Sequence, residues 1–366
     1  MKVLIVDTVS YNRAPYLKYY IDACKEKNID YDLFLWNRNQ TGGLMKNGNI
    51  YTMNSICPFG GSKLKKIIPM LQYRNALLKV IKQNQYTHLV LINTLAPVMV
   101  SNYVLKYYNQ KYILDIRDYT YEKIKRYKAI ETKLIEHSYF TTVSSKGFLQ
   151  FITPSNKIIV NHNISNLNKI ENTITLNKNE KITIGFVGSV RYPEVNKTLI
   201  KAFEDNSQYI LKYVGSEVDG CDLGEFCREH NIENVVFKGK YLNEQKPEIY
   251  KNIDMINSLY GDFSLEVTTA IPNRLYDALI FKKPIIASKG TFLGEVVEKN
   301  RLGIAVELNT QSIKKEVNNY VQNFDKEKFI RNCNECLEKV IGEQNSFKYS
   351  IREFLIDNLK KGTLTS

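Results

Sequence analysis

The chain contains 366 residues, of which 43% are hydrophobic and 24% charged, and its formal net charge is +13. This composition is typical of a globular protein large enough for two domains, and no apolar run approaches the roughly 18 residues that span a bilayer. The opening residues Met1–Asp7 resemble a first strand rather than a signal peptide, and the six cysteines lack the spacing of a disulfide framework. We therefore expect a cytoplasmic protein.

Strands and helices alternate along the first half of the chain. A predicted helix, Pro15–Lys27, follows the first strand. The predicted strands of this half are Val3–Thr8, Tyr31–Trp36, His88–Asn93, Lys111–Asp115, Tyr139–Val143 and Lys157–Asn161. Such alternation is typical of right-handed βαβ units and predicts a parallel sheet in a first domain over residues 1–163.

All of the excess positive charge lies in this first half. Residues 1–163 contain 23 Lys and Arg against 10 Asp and Glu, whereas the rest of the chain contains 28 of each. Lys63–Lys82 mixes cations with apolar residues at helical spacing, and Lys123–Lys128 adds a second basic cluster. We expect an anionic partner for this half, which is a membrane surface, a lipid-linked phosphate or a nucleic acid. A core-packed helix with a solvated basic side is the alternative for Lys63–Lys82.

A polar segment separates the two halves. Residues 164–181 are rich in Asn, Lys and Thr without apolar periodicity, and they are expected to form a linker. A second domain is predicted over residues 182–342, and residues 343–366 contain a final amphipathic helix over Phe347–Leu359. Cys333 and Cys336 lie in a preceding predicted helix, Lys326–Val340, with no second pair nearby. Free thiols are therefore favoured over a zinc or redox site.

The second domain begins with a strand that runs into a glycine loop. Gly188 ends this apolar strand and allows a ligand to approach the backbone closely. Arg191 and Lys197 follow it. Because ligands of open parallel sheets bind at the carboxyl ends of strands, both cations are placed to contact a pyrophosphate. Two solvated surface cations are the alternative.

A helix start further along the chain completes the predicted site. Pro272, Asn273 and Arg274 open the helix, and Asp277 lies one turn inside it, before the apolar strand Lys283–Ser288. The backbone N–H groups of a helix start and an Arg suit phosphate oxygens, and the acid can accept hydrogen bonds from ribose hydroxyls. Alternatively, Pro272 only opens a surface helix and Asp277 complements the helix dipole.

Together these segments resemble the GT-B-fold glycosyltransferases, nearest to the retaining group that builds bacterial capsule, exopolysaccharide and lipopolysaccharide. The resemblance is carried by Ile184–Lys197, Val235–Tyr241, Ile253–Ser258 and Ile271–Ser288. It implies an α/β fold in which two Rossmann-like parallel-sheet domains face a cleft, with a C-terminal helix that crosses back to the first domain. It also implies that the second domain binds a nucleotide sugar and that the first binds the acceptor.

In this family the positions that match Arg191 and Lys197 contact the donor pyrophosphate, and the acid that matches Asp277 binds ribose. The expected donor site consists of Gly188, Arg191, Lys197, Thr269, Pro272, Asn273, Arg274 and Asp277. The family's usual motif has two glutamates eight positions apart, the first of which touches the donor sugar. This chain has Thr269 and Asp277 there, so the sugar contact is not carried over. Glu266 and Asp262 in the preceding loop are the candidates to substitute for it, and a solvated loop acid is the alternative for each.

Polar residues after two strands of the first domain are the candidates for acceptor chemistry, because carboxyl ends of strands bind ligands. The predicted acceptor residues are Tyr11, Asn12, Arg13 and His162. Asp118 is the candidate general base, and a salt bridge to Arg117 or Arg13 is its alternative role.

No metal or organic cofactor is expected. Asp30-Tyr31-Asp32 matches a D-x-D metal motif only as a string and lies away from the predicted donor site, so cationic side chains and the helix start would stabilise the leaving diphosphate. The first strand also lacks a following G-x-G-x-x-G, which argues against a dehydrogenase.

The sequence and the resemblance together thus predict a glycosyltransferase that moves a sugar from a UDP- or GDP-sugar to a bacterial surface glycan, lipid-linked and held at the inner face of the membrane. Retention of the anomeric configuration is what the resemblance implies. Two alternatives stay open. A sugar-nucleotide epimerase of the same fold would need more cleft carboxylates and histidines than this chain offers. A basic nucleic-acid-binding protein would explain the charge, but no zinc-finger spacing, aromatic RNA-binding signature or basic-region heptad is present.

Overall fold

The computed structural model describes residues 1–58, 64–164, 176–177, 179–217, 221–261 and 264–362, without the side chains of 357–362. The chain divides into two compact units. The first comprises Met1–His162 and Gly342–Ser366, and the second comprises Asn163–Ile341. Most of the predicted linker 164–181, together with Lys63 and Asp262, lies outside the described residues.

The described strands of the first unit form one eight-stranded sheet. They are β1 (Lys2–Val6), β2 (Asp30–Asn37), β3 (Gly43–Asn47), β4 (Ile50–Asn54), β5 (His88–Ile92), β6 (Tyr112–Ile116), β7 (Phe140–Val143) and β8 (Ile158–Val160). Their order is β3-β4-β2-β1-β5-β6-β7-β8. Every neighbouring pair is parallel except β3 with β4, which form a hairpin. The sequence analysis did not predict this hairpin, although Asn47-Gly48 is a common turn signal and Gly48 has a φ of 58°.

Helices cover the sheet of the first unit. They are α1 (Leu17–Glu26), α2 (Ile67–Gln83), α3 (Leu95–Met99), α4 (Ser101–Tyr107) and α5 (Lys125–His137), with 3-10 turns at Tyr11–Arg13, Leu64–Lys66 and Lys146–Gln150. The buried residues of α2 recur at helical spacing, so one side of the predicted basic helix packs on the core.

The second unit contains a parallel sheet of six described strands. They are β9 (Ile182–Val187), β10 (Tyr209–Val214), β11 (Val235–Lys238), β12 (Met255–Ser258), β13 (Ile285–Ser288) and β14 (Gly303–Val306), in the order β11-β10-β9-β12-β13-β14. In chain order, β10 and β11 are added outwards from β9 on one side of the sheet, and β13 and β14 are added outwards from β12 on the other. The carboxyl ends of β9 and β12 therefore form the switch point at which such sheets bind ligands.

The helices that connect these strands are α6 (Pro193–Phe203), α7 (Leu223–Glu229), α8 (Lys246–Lys251), α9 (Leu265–Thr269), α10 (Asn273–Phe281), α11 (Phe292–Lys299) and α12 (Thr310–Gln322), with a 3-10 turn at Asn243–Gln245. None of the helices in the described parts of the chain combines the length and apolarity needed to cross a bilayer.

The last helix, α13 (Lys326–Gly362), is continuous. The sequence analysis placed two separate helices here, Lys326–Val340 and Phe347–Leu359, and this was wrong because no proline interrupts the intervening residues. Phe329 packs in a core cluster of the second unit, whereas Phe347 and Phe354 pack in the core of the first. The prediction that the C-terminal helix packs on the first domain is confirmed, as is the class of two parallel-sheet α/β domains.

Candidate functional site

Two glycines lie side by side at the carboxyl ends of β9 and β10. Gly188 has a φ of 136° and Gly215 a φ of 141°, values that favour glycine. A Cβ at Gly215 would fall 1.9 Å from the carbonyl oxygen of Gly188, so the two backbones approach more closely than a side chain permits. The sequence analysis predicted Gly188 but missed Gly215. The repeated string Val-Gly-Ser after both strands was the available signal.

Arg274 is the buried cation of the site, and its side chain is only 7% exposed. Its guanidinium carbon lies 4.0 Å from the ring centroid of Phe186, and its Nε donates a hydrogen bond to Ser258 Oγ at 3.2 Å. A Cβ built at Gly188 would lie 3.6 Å from Nη1. Among the described residues, no carboxylate lies within 4.0 Å of this guanidinium. A buried cation without a counter-ion is costly, so the site is suited to an anionic ligand.

Asp277, one turn further along α10, is buried and has a cation of its own. Its carboxylate accepts hydrogen bonds from Lys246 Nζ at 2.9 and 3.0 Å and from the Tyr250 hydroxyl at 2.9 Å. Burial and the neighbouring carboxylate raise the pKa of Tyr250 well above its usual value, so Tyr250 stays protonated and donates. The sequence analysis did not identify either partner. These contacts join α8 to the start of α10, and they fix Asp277 close to the switch point.

The other predicted residues of this helix start differ in exposure. Thr269 is buried, and its hydroxyl donates to the carbonyl oxygen of Leu265 within α9 at 2.6 Å. Pro272 precedes α10, and Asn273 is exposed at its first position. Glu266, the alternative sugar contact, is exposed in the first turn of α9.

The two predicted loop cations lie apart from Arg274. Arg191 is exposed. Lys197 forms an ion pair with Glu194 at 3.0 Å and lies 5.5 Å from the ring centroid of Phe226 on α7. No hydrogen bond or ion pair found in the described parts of the chain joins either cation to Arg274 or Asp277. The structure therefore brings Gly188 and Arg274 together, whereas Lys197 lies towards α7.

A cavity of about 540 Å³ opens beside Gly215, at the ends of β10 and β11. Its lining includes Val190, Gly215, Ser216, Glu217, Asp222, Arg228, Phe237 and Lys240. Gly215, which lines this cavity, also lies against the carbonyl group of Gly188.

In the first unit, the predicted acceptor residues Tyr11, Asn12 and Arg13 form an exposed 3-10 turn after β1, and Asp118 is exposed after β6. The sequence analysis did not single out Asp7, which directly follows β1 and is fully buried. Asp7 accepts hydrogen bonds from the Thr8 backbone, from Tyr16 and from Asn93 at 2.6, 2.8 and 3.1 Å. Burial raises the pKa of Asp7 to about 7. Arg117, two positions after the buried Asp115, pairs with that carboxylate at 2.9 Å.

His162 is bound by the C-terminal helix within the first unit. Its Nε2 lies 2.8 Å from Glu343 Oε2, and its backbone N–H donates to Gln344 Oε1 at 2.8 Å. Hydrogen bonds from His162 and Lys146 lower the pKa of Glu343 to about 2. These contacts hold the segment that follows β8 against α13.

The D-x-D string lies in β2, where Asp32 pairs with Lys2 at 2.8 Å and accepts a hydrogen bond from Tyr86. Within the described residues, no group of three or more His, Cys, Asp or Glu side chains is arranged to hold a metal ion.

Comparison with known proteins identifies the second unit. Residues 168–335 match the family profile described as "Glycosyl transferases group 1". No match is found among curated protein sequences.

Solved structures match the fold of the whole chain. Sucrose-phosphate synthase from Thermosynechococcus elongatus has 13% identity and a TM-score of 0.70, with 100% of both chains covered. HepE from Anabaena, in complex with UDP and glucose, has 15% identity and a TM-score of 0.63 over 98% of this chain and 99% of that chain. The lipopolysaccharide outer core galactosyltransferase WaaB has 12% identity and a TM-score of 0.65 over 98% of this chain and 100% of that chain. Residues 168–335 thus carry a group 1 glycosyl transferase domain, and the chain is a glycosyltransferase with the GT-B fold.

Proposed function

We propose that the second unit binds a UDP- or GDP-sugar with its diphosphate against Gly188 and Arg274. The observation that carries this proposal is the buried Arg274 guanidinium, which has no carboxylate neighbour among the described residues and lies beside a glycine that leaves its backbone open. A diphosphate supplies the missing negative charge and fits a bidentate guanidinium. The UDP and glucose bound to HepE, which has a similar fold, support a uridine donor.

The remaining donor contacts follow from the same placement. The N-terminus of α10 adds backbone N–H groups and a positive dipole end near the phosphates, and Arg191 and Lys197 supply further positive charge. The cavity beside Gly215 has room for the nucleoside. Asp277 accepts a hydrogen bond from a ribose hydroxyl through the carboxylate lone pairs that Lys246 and Tyr250 do not use. Thr269, Pro272 and Asn273 border the sugar.

In the proposed reaction, the bond between the anomeric carbon and the diphosphate oxygen breaks as an acceptor hydroxyl oxygen bonds to that carbon. Arg274 and the start of α10 stabilise the charge that develops on the leaving diphosphate, without a metal ion. The acceptor lies against Tyr11–Arg13 and His162 of the first unit, and Asp118 accepts the proton of its hydroxyl. Transfer proceeds with retention, as the resemblance implies, so the acceptor hydroxyl attacks the anomeric carbon from the same face that the diphosphate leaves.

The proposed acceptor is a lipid-linked bacterial surface glycan. The basic first unit suits an anionic surface, and the protein would work at the inner face of the cell membrane. WaaB, a relative in fold that acts on the lipopolysaccharide outer core, supports a glycan acceptor of this class.

Ligand-induced thermal stabilisation tests the donor site, because a ligand that binds only the folded state raises the melting temperature. We expect UDP or GDP, but not both equally, to stabilise the wild type. Arg274→Met, which keeps the apolar stem, should weaken nucleotide binding roughly 10- to 100-fold, since a charge-assisted hydrogen bond contributes about 1.5–3 kcal/mol. Arg274→Lys should retain part of the affinity.

The matched control is Arg331→Met, which removes an exposed cation from the same unit and should bind like the wild type. Equal nucleotide binding by Arg274→Met and Arg331→Met would contradict the proposed site. Absence of stabilisation by every nucleoside diphosphate at millimolar concentration would contradict the proposed donor class.

A further inference from the structure

Four large apolar side chains are exposed together at the beginning of α2. Leu64, Ile67, Ile68 and Leu71 are 77%, 50%, 67% and 51% exposed. Their sequence spacing is three, one and three, which places them on one side of the helix. A single exposed apolar side chain needs no explanation, but a contiguous apolar face is a feature of interaction sites. We call these four residues the apolar ridge.

The ridge does not belong to the core-packed side of the helix. The buried residues of α2 are Tyr73, Leu77, Val80 and Ile81. At about 100° per residue, this buried stripe lies on nearly the opposite side of the helix from Ile67, Ile68 and Leu71. The outward side continues along the helix to Lys79 and Lys82, both exposed.

The stretch of sequence that contains the ridge is rich in basic residues and has no acidic residue. Between Asp32 and Asp115 the chain contains ten Lys and Arg and no Asp or Glu. Lys65 lies within the ridge and is exposed. An apolar stripe with lysines along the same side is the pattern by which amphipathic helices lie at the boundary of headgroups and acyl chains.

We infer that the apolar ridge is the face with which the first unit docks on an anionic lipid leaflet. The ridge residues enter the acyl boundary, and Lys65, Lys79 and Lys82 lie near the lipid phosphates. A second copy of the chain is a poorer occupant, because pairing two ridges would bring two sets of lysines together and like charges repel. The inference rests on the proposed function and deepens it, since it names the surface that would bring a lipid-linked acceptor to the enzyme.

Vesicle co-sedimentation of the full chain tests this inference. We expect the wild type to bind vesicles of phosphatidylcholine mixed with phosphatidylglycerol, and to bind pure phosphatidylcholine vesicles much more weakly. Ile67→Ser/Ile68→Ser/Leu71→Ser should bind the anionic vesicles at least roughly 10-fold more weakly, because three apolar side chains no longer leave water. Lys65→Gln/Lys79→Gln/Lys82→Gln should lose about fivefold for each lysine, and high salt should reduce wild-type binding similarly.

Leu242→Ser is the matched control, since Leu242 is 67% exposed in the second unit, and it should bind vesicles like the wild type. The inference is overturned if the triple serine variant binds anionic vesicles as well as the wild type does, or if the wild type binds none. It is also overturned if the ridge substitutions leave vesicle binding unchanged but halve the mass in sedimentation velocity, which would assign the ridge to a second copy.

UDP and GDP stabilisation of the ridge variants separates this inference from the donor proposal. Ridge variants that lose vesicle binding but keep nucleotide stabilisation support both proposals. Vesicle binding that depends on the ridge in a protein that no nucleotide stabilises would support the docking surface and contradict the donor site.

Discussion

Three buried ionisable side chains, those of Asp277, Arg274 and Asp7, differ in how their charge is balanced. Asp277 pairs with Lys246, whereas Arg274 has no carboxylate within 4.0 Å among the described residues. Asp7 accepts hydrogen bonds from neutral groups, and burial raises its pKa to about 7 although the charge of Arg117 acts in the opposite direction. Arg274 is therefore the one of these three groups without an oppositely charged neighbour among the described residues, and Asp7 is the group whose ionisation depends on pH near neutrality.

Asp7→Asn should change how the stability of the first unit depends on pH. The folded-state pKa of Asp7 is about 7, above its ordinary value of 3.8, so the folded protein binds more protons than the unfolded chain between these values. The stabilising contribution is complete below about pH 4 and is lost as the pH rises to 7, at up to about 1.4 kcal/mol per pH unit. The variant, which keeps an acceptor and a donor at this position, should lack this loss.

Urea denaturation followed by the fluorescence of Trp36 measures this effect, since Trp36 is the single tryptophan and is buried in the first unit. The difference in unfolding free energy between the wild type and Asp7→Asn should change by up to about 3 kcal/mol from pH 5 to pH 7. Asp22→Asn, at an exposed position, is the control. Parallel pH curves for wild type and Asp7→Asn would disprove the predicted protonation.

Gly215→Ala should destabilise the second unit and remove nucleotide binding. The new Cβ would lie 1.9 Å from the Gly188 carbonyl oxygen, at a positive φ of 141°, so strain and overpacking together should cost about 2 kcal/mol or more. Thermal unfolding by circular dichroism with and without UDP checks both effects. Gly239→Ala, where a Cβ would meet nothing within 4 Å, should change the unfolding temperature by little, and an equal loss of stability at both glycines would refute the packing argument.

At the scale of elements, α13 contributes residues to the core of each unit. Its early residue Phe329 and its late residue Phe347 are both buried. Phe347 makes edge contacts with Tyr19 and Tyr20, at ring-centroid distances of 5.8 and 5.9 Å. The helix is therefore part of the folded core of the first unit and not an appendage to it.

Phe347→Ala should lower the unfolding free energy of the first unit by about 3–5 kcal/mol, the usual cost of removing a buried aromatic side chain. Tyr349→Ala, two positions along the same helix but 61% exposed, should change it by less than about 0.5 kcal/mol. Urea denaturation followed by Trp36 fluorescence compares the two. Similar losses for both variants would indicate a general helix effect and not the loss of core packing.

Across the whole molecule, the six cysteines are free, and five of them are buried. Burial raises the pKa of Cys24 and of Cys333 to about 12, so few thiolates are available for reaction. In the native protein, at most one thiol, that of the half-buried Cys336, should react quickly with Ellman's reagent, and all six should react in guanidinium chloride. Fast reaction of two or more native thiols, or fewer than six after denaturation without reductant, would contradict this assignment.

Local patterns were sufficient for the parts of the fold that depend on neighbours in sequence. The apolar runs of β1, β5 and β9 identify strands because nearly every residue of these central parallel strands is buried, and the helix start at Pro272 is marked by its own residues. The string Asn47-Gly48 also marked a turn, but the β3–β4 hairpin was not recognised. The continuity of α13 was missed because its polar middle carries no apolar periodicity over Gly342–Ser346.

The sequence by itself determined the alternation of strands and helices, the charge difference between the two halves and the resemblance to glycosyltransferases, since each depends on composition or local spacing. Only the tertiary structure decided which cations lie together. Arg274, Arg191 and Lys197 are equivalent cations in sequence, yet packing on Phe186 places Arg274 at Gly188, whereas Glu194 and Phe226 hold Lys197 towards α7. The partners of Asp277 and the exposure of the apolar ridge were also decided only by the tertiary structure, because both depend on contacts between segments distant in the chain.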